Sequence, residues 1–208
     1  KGYGVVAYDV NAAALDEIAR DGAVKAESPR NVAERVDVVI TMLPSSPHVE
    51  RVILGSDGVL EGCRPGGTII DMSTIDPITT KKVAAAAAER GVRFLDAPVS
   101  GSTQGARDGT LTIMVGGPAE VLNEHYPILE AMGRNIIHVG DVGMGEMAKL
   151  ANQLVVGASM IAVAEAFALG MRAGLDPKTL FQVINKSSGN CWALEKRVPV
   201  PGIVPDNP

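Results

Sequence analysis

Lys149, Asn152 and Gln153 stand at positions i, i+3 and i+4 of the stretch "GMGEMAKLANQ". On a helix that spacing puts all three side chains on one face. The two amides can donate and accept hydrogen bonds, and the lysine is a charge in a segment that is otherwise apolar. Such a lysine must reach water, pair with a charge, or lower its pKa. In the last case it can trade protons near neutral pH, which is the work of a general acid or base. The plain alternative is a solvated helix lysine.

A second group of residues falls where strand-like runs end. In "KGYGVVAYDVN" the run from Gly4 closes on Asp9, followed by Asn11. In a dinucleotide-binding fold, an acid at the end of the second strand accepts hydrogen bonds from the adenosine ribose. The glycine-rich phosphate loop of such a fold belongs about 20 residues earlier, ahead of Lys1. Other strand ends carry Leu43-Pro44-Ser45, Ser73-Thr74 and Asp96 to Ser102. Any one of these could simply cap the following helix. Four on one sheet edge weaken the capping reading, because open parallel sheets bind ligands beyond the carboxyl ends of their strands. Ser100-Gly101-Ser102 would leave backbone N–H groups free in a turn, a concavity suited to a carboxylate or phosphate.

The elements that must position these groups alternate along the chain. "VDVVITM" (36–42), 68–71 and 92–95 are apolar, β-branched runs, and helix-like patterns cover 12–20 and 81–90. Two further strands are expected over 111–115 and 135–139, with a helix at 119–131 between them. This alternation predicts an α/β fold, a Rossmann-like, doubly wound and mostly parallel sheet. From residue 145 to 172 runs one helix, about 40 Å long at 1.5 Å per residue. Its apolar circumference predicts burial on several sides, against a helical domain or a partner subunit. Another helix starts at Asp176-Pro177, and the Pro-rich tail "VPVPGIVPDNP" has no periodicity. The expected domains are 1–143, which would bind the dinucleotide, and 144–208, the start of an all-α helical domain.

Composition narrows the partners. The chain of 208 residues is 46% hydrophobic with a net charge of −5, and its Lys and Arg are scattered. No basic patch marks nucleic acid. Glu165 interrupts the most apolar stretch, so a buried helix is preferred to a membrane span. Cys63 and Cys191 predict free thiols, and His48, His125 and His138 fit no metal-ligand spacing, so no metal is expected.

Together, "YDVN", "VVITMLPSS", "IIDMSTIDP", "FLDAPVSG", "GTLTIMVGG" and "GMGEMAKLANQ" resemble the β-hydroxyacid dehydrogenase family. "SSGNCW" followed by "PVPG" is similar to its hydroxyisobutyrate branch rather than its tartronate semialdehyde reductases. The resemblance runs the length of the chain. It implies NAD-dependent oxidation of 3-hydroxyisobutyrate to methylmalonate semialdehyde, a step of valine breakdown. By the resemblance Lys149 is the catalytic acid/base, Ser100, Gly101 and Ser102 hold the substrate carboxylate, and Asn152 orients the substrate. Asp9 would meet the ribose, with Asn11, Leu43, Pro44, His48 and Thr74 lining the cofactor. Asp9 would repel a 2′-phosphate, which favours NAD over NADP.

Two positions depart from the family: Ser102 replaces a common glycine, and His48 replaces an amide. The resemblance also implies a first strand and glycine loop ahead of Lys1, further helical domain after Pro208, and a homo-oligomer when complete. The chain alone is expected to bind NAD weakly and to expose an apolar patch. The implied compartment is cytoplasmic in a bacterium and mitochondrial in a eukaryote. A related β-hydroxyacid dehydrogenase and a non-catalytic binding module are the alternatives.

Overall fold

"VDVVITM" supplies the strand β3, and three neighbouring runs of the same character stack beside it into a sheet. The computed structural model describes residues 2–204; the last four residues of the Pro-rich tail lie outside these. In chain order the elements are β1 (Val6–Ala7), α1 (Ala12–Arg20), β2 (Val24–Lys25), α2 (Pro29–Ala33), β3 (Val38–Thr41), α3 (Ser46–Leu54), α4 (Val59–Gly62), β4 (Thr68–Asp71) and α5 (Pro77–Glu89). There follow β5 (Arg93–Asp96), β6 (Val99–Ser100), α6 (Ser102–Asp108), β7 (Leu111–Gly116), α7 (Ala119–Glu130), β8 (Gly133–Gly140), α8 (Met144–Arg172), α9 (Pro177–Asn185) and α10 (Trp192–Lys196). Two compact units divide the chain, residues 1–149 and 150–208.

In the first unit β3, β4 and β5 are parallel neighbours. β5 and β6 both pair antiparallel with β7, in one register, and β8 pairs parallel with β7. The sheet is therefore mostly parallel. β4 is buried along its whole length, and alternate residues point to opposite faces. Ile69 and Phe94 enter a core with Val39, Val49, Ile53 and Val83. Ile70 and Leu95 enter a second core with Ile113, Val115, Leu122 and Leu129. Each such side chain contributes about 1.5–3 kcal/mol on burial. Two cores on two faces of one sheet are what a doubly wound fold requires.

β1 pairs only with β2, in a separate two-stranded parallel sheet. Among the described residues no ladder joins that pair to the six-stranded sheet. α1 follows β1 with Asn11 as its cap, yet none of its residues is buried.

The second unit has its own core of Val163, Phe167, Ala193, Leu194, Val198 and Val204. Asp176 caps α9 by accepting the Thr179 N–H at 2.8 Å, with Pro177 in the first turn.

Within this chain most of the α8 surface is uncovered. Leu154, Val155, Ile161 and Leu169 are 74, 65, 67 and 74% exposed. The helix is apolar around most of its circumference, and the chain packs only a narrow stripe of it, chiefly Val163 and Phe167. By length and composition alone it could cross a membrane. The expectation of an exposed apolar patch matches this surface.

Candidate functional site

The carboxyl ends of the strands carry a continuous row of paired residues. Thr41 pairs with Asp71, Asp71 with Asp96, Asp96 with Gly116, and Gly116 with Gly140. Both aspartates are fully buried. Asp71 Oδ1 accepts hydrogen bonds from Thr41 Oγ1 at 2.8 Å and from the Ser73 N–H at 3.1 Å. Ser73 Oγ in turn accepts the Leu43 N–H at 2.9 Å, tying the β3 loop to the β4 loop. Asp96 reaches the start of α8, where its two oxygens accept the N–H groups of Gly143 at 2.8 Å and Glu146 at 3.0 Å. It caps the helix from a distant strand, with a full charge opposite the positive end of the helix dipole. A Cβ on Gly145 would lie 2.5 Å from Met114 O and 2.7 Å from Asp96 Oδ2, so only glycine lets the helix sit this close.

This cap brings Glu146 and Lys149 into the same buried region. Glu146 is fully buried and Lys149 is 8% exposed. Glu146 Oε2 accepts the Ile75 N–H at 3.1 Å, directly after Thr74. Burial pushes the Glu146 carboxyl up to about 8, and Asp71 and Asp96 push it the same way. Burial also raises Asp71 and Asp96. Lys149 is pulled below its ordinary value by burial, opposed by Glu146. Of the three options open to a lysine in apolar surroundings, the structure gives it the lowered pKa. Among the described residues it forms no ion pair.

The residues expected to line a cofactor are mostly open to solvent. Asp9 is exposed at the end of β1, and its Oδ1 accepts the Asn11 N–H at 2.7 Å. Asn11 Oδ1 caps α1 through Ala13 N and Ala14 N, the plain reading of that side chain. Pro44, His48 and Thr74 are exposed and Leu43 half-buried. His48 Nδ1 lies 2.7 Å from Ser45 Oγ, a contact within the first turns of α3. The loops beyond β3 and β4 lie on one sheet edge, while Asp9 follows a strand of the separate two-stranded sheet, so the expected single edge of four loops is not formed.

Ser100 is half-buried, and Gly101 and Ser102 are exposed at the start of α6. Gly101 has φ +136° and Ser102 φ +58°. A serine in the left-handed region costs about 1–2 kcal/mol, which explains why glycine suits this position. No hydrogen bond joins this loop to Lys149 among the described residues. Asn152 is half-buried, and its amide donates to Gln153 Oε1 at 3.3 Å. Two shallow, open cavities, one lined by Tyr3, Val5 and residues 106–109 and one by Lys81, Gly117 and Asp141, include none of the candidate residues. Asp71 and Glu146 escaped the sequence reading. Their signal was faint: an acid closing "IID", and an acid one turn before the lysine.

A model of the NAD binding domain of 6-phosphogluconate dehydrogenase matches residues 1–140. A second, the NAD-binding domain of NADP-dependent 3-hydroxyisobutyrate dehydrogenase, matches residues 143–203. The chain belongs to the 3-hydroxyisobutyrate dehydrogenase family. This is a family of NAD-binding oxidoreductases within the β-hydroxyacid dehydrogenases. The chain is 46% identical over 208 residues to a probable mitochondrial 3-hydroxyisobutyrate dehydrogenase of Dictyostelium discoideum, covering 100% of this chain and 65% of that protein. It is 47% identical over 207 residues to an NAD-dependent L-serine dehydrogenase of Pseudomonas aeruginosa, covering 100% of this chain and 70% of the relative. The solved structure of Mycobacterium tuberculosis 3-hydroxyisobutyrate dehydrogenase with L-serine superposes with a TM-score of 0.90 at 41% identity, covering 100% of this chain and 70% of that one. The chain thus spans about two thirds of the length of these relatives. The second match includes α8, which places this helix in a dehydrogenase domain rather than a bilayer.

Proposed function

We propose that the protein containing this chain oxidises the terminal alcohol of 3-hydroxyisobutyrate to methylmalonate semialdehyde, with Lys149 as the general base. The observation that carries this reading is Lys149 itself, a buried lysine in no ion pair among the described residues, whose pKa burial pulls below its ordinary value. The neutral amine takes the hydroxyl proton, and the ammonium returns it in the reverse direction. NAD supplies the acceptor for the hydride. Asp9 is the ribose ligand, and Leu43, Pro44, His48 and Thr74 line the cofactor, with Asn11 shaping the turn after Asp9. Ser100, Gly101 and Ser102 hold the substrate carboxylate and Asn152 orients the alcohol. Residues 1–143 form the dinucleotide-binding domain and 144–208 belong to the helical one. Self-association through the exposed face of α8 and a compartment set by the host, bacterial cytoplasm or mitochondrion, complete the reading.

L-Serine is the second candidate substrate, because a Pseudomonas relative is named for it and the Mycobacterium structure contains it. Both molecules carry a carboxylate and a CH2OH on the same carbon, so one carboxylate loop and one base serve either. The test is kcat/KM for 3-hydroxyisobutyrate and L-serine, each with NAD and NADP. The reading predicts the highest value for 3-hydroxyisobutyrate with NAD. A clear preference for L-serine transfers the assignment to that substrate, and a preference for NADP removes Asp9 from its role.

A further inference from the structure

Glu146 has no part in that mechanism, yet it is a fully buried acid on the same helix as the lysine. It lies three residues before Lys149 on α8. One oxygen accepts the Ile75 N–H; the other, Oε1, is buried with no hydrogen-bond partner. Asp71 Oδ2 is buried and unpartnered in the same way. The charged groups acting on Glu146 are Asp71 from β4, Asp96 from β5 and Lys149 from its own helix. Three ionised carboxylates against one cation, out of water, would leave two orphan oxygens and uncompensated charge. Asp71 and Asp96 each accept at least two hydrogen bonds, whereas Glu146 accepts one. A proton is therefore held most readily on Glu146, where its O–H also removes one unpaired acceptor.

We propose that Glu146 is a positioning residue for Lys149: a carboxyl that keeps its proton in the working enzyme, so that the lysine is not locked into an ion pair and stays free to accept one. The proposal rests on Lys149 being the base. Were Glu146 ionised, its charge would hold the lysine as ammonium, and the base would be lost at the pH where it is needed. The direction of the Glu146 carboxyl, up to about 8, agrees.

The test uses the natural full-length enzyme. Carboxyl 13C NMR of the glutamates across pH 5–9 reads Glu146 directly, assigned by its loss in Glu146→Gln. The expected result is one glutamate still protonated at pH 7. Ionisation of Glu146 below pH 6 would overturn the proposal, with no mutant activity needed. In kinetics, Glu146→Gln mimics the neutral acid, so kcat/KM at pH 7 should stay within about threefold, and the Lys149 limb of the pH profile should not move to higher pH. A loss above 100-fold at pH 7 with NADH binding intact would show that the charged carboxylate is required. Full activity of Lys149→Ala would instead overturn the parent reading and leave the Glu146 titration standing.

Discussion

The two halves of α8 reverse the usual relation between hydropathy and burial. Its first turns hide a glutamate and a lysine, while the later turns present Leu154, Val155, Ile161 and Leu169 to solvent. The first half is held down from outside. Asp96 accepts two of its N–H groups, Gly145 permits close approach, and Ile75 binds the glutamate. The second half has only a stripe of apolar contacts. Charges are costly to bury and are kept buried here because other groups fix their surroundings. Apolar side chains gain from burial and are left out because the chain provides little to cover them. The difference separates a helix start anchored by polar groups of other elements from a helix end left largely uncovered.

Removing the anchor breaks this contrast most severely. Asp96→Ala leaves the N–H groups of Gly143 and Glu146 unpaired in a buried region, at about 3 kcal/mol. Chemical denaturation should register this as a lower midpoint, and the start of α8 should lose amide-exchange protection. Unchanged protection would mean that the cap does not hold the helix start.

Buried acids also give the first half a distinctive pH response. Asp71, Asp96 and Glu146 all have raised pKa values, Glu146 to about 8. Above the ordinary carboxyl range the unfolded chain has released the Glu146 proton while the folded chain keeps it up to about 8, and the raised Asp71 and Asp96 act in the same direction. Folding then binds protons, so stability falls as pH rises from about 4.5 toward 8 and levels off beyond it. One retained proton gives a slope of about 1.4 kcal/mol per pH unit. Urea midpoints across this range should decline in the wild type and flatten in Glu146→Gln. A wild-type curve that rises over the same range would contradict the raised values.

The smallest effect is expected on the exposed half. Leu154→Ser with Ile161→Ser should alter folding stability by less than about 0.5 kcal/mol, while sedimentation shows less self-association. A loss of several kcal/mol would mean that this face is covered within the folded chain.

How much could be read beforehand follows from where each signal resides. β4 and α1 matched their sequence boundaries, since a β-branched run and a 3.6-residue pattern are local properties. β2 and β6 span two residues each and carry no pattern at all. α6, "STQGARD", lacks apolar periodicity. Lys149 could be singled out because its charge, beside two amides, stands in a mostly apolar helix. The row of Thr41, Asp71 and Asp96 could not, because strand register creates it from residues about 25–30 positions apart. Glu146 looked like an ordinary first-turn acid, and its burial depends on Asp96 and Ile75 in other elements.

The central claim is that Lys149 moves the proton. The direct measurement is NAD-dependent oxidation of 3-hydroxyisobutyrate by wild type and Lys149→Ala, with NADH affinity measured in parallel. The predicted result is a fall in kcat of at least about 100-fold, with NADH binding unchanged. Turnover near the wild-type rate in Lys149→Ala would contradict it.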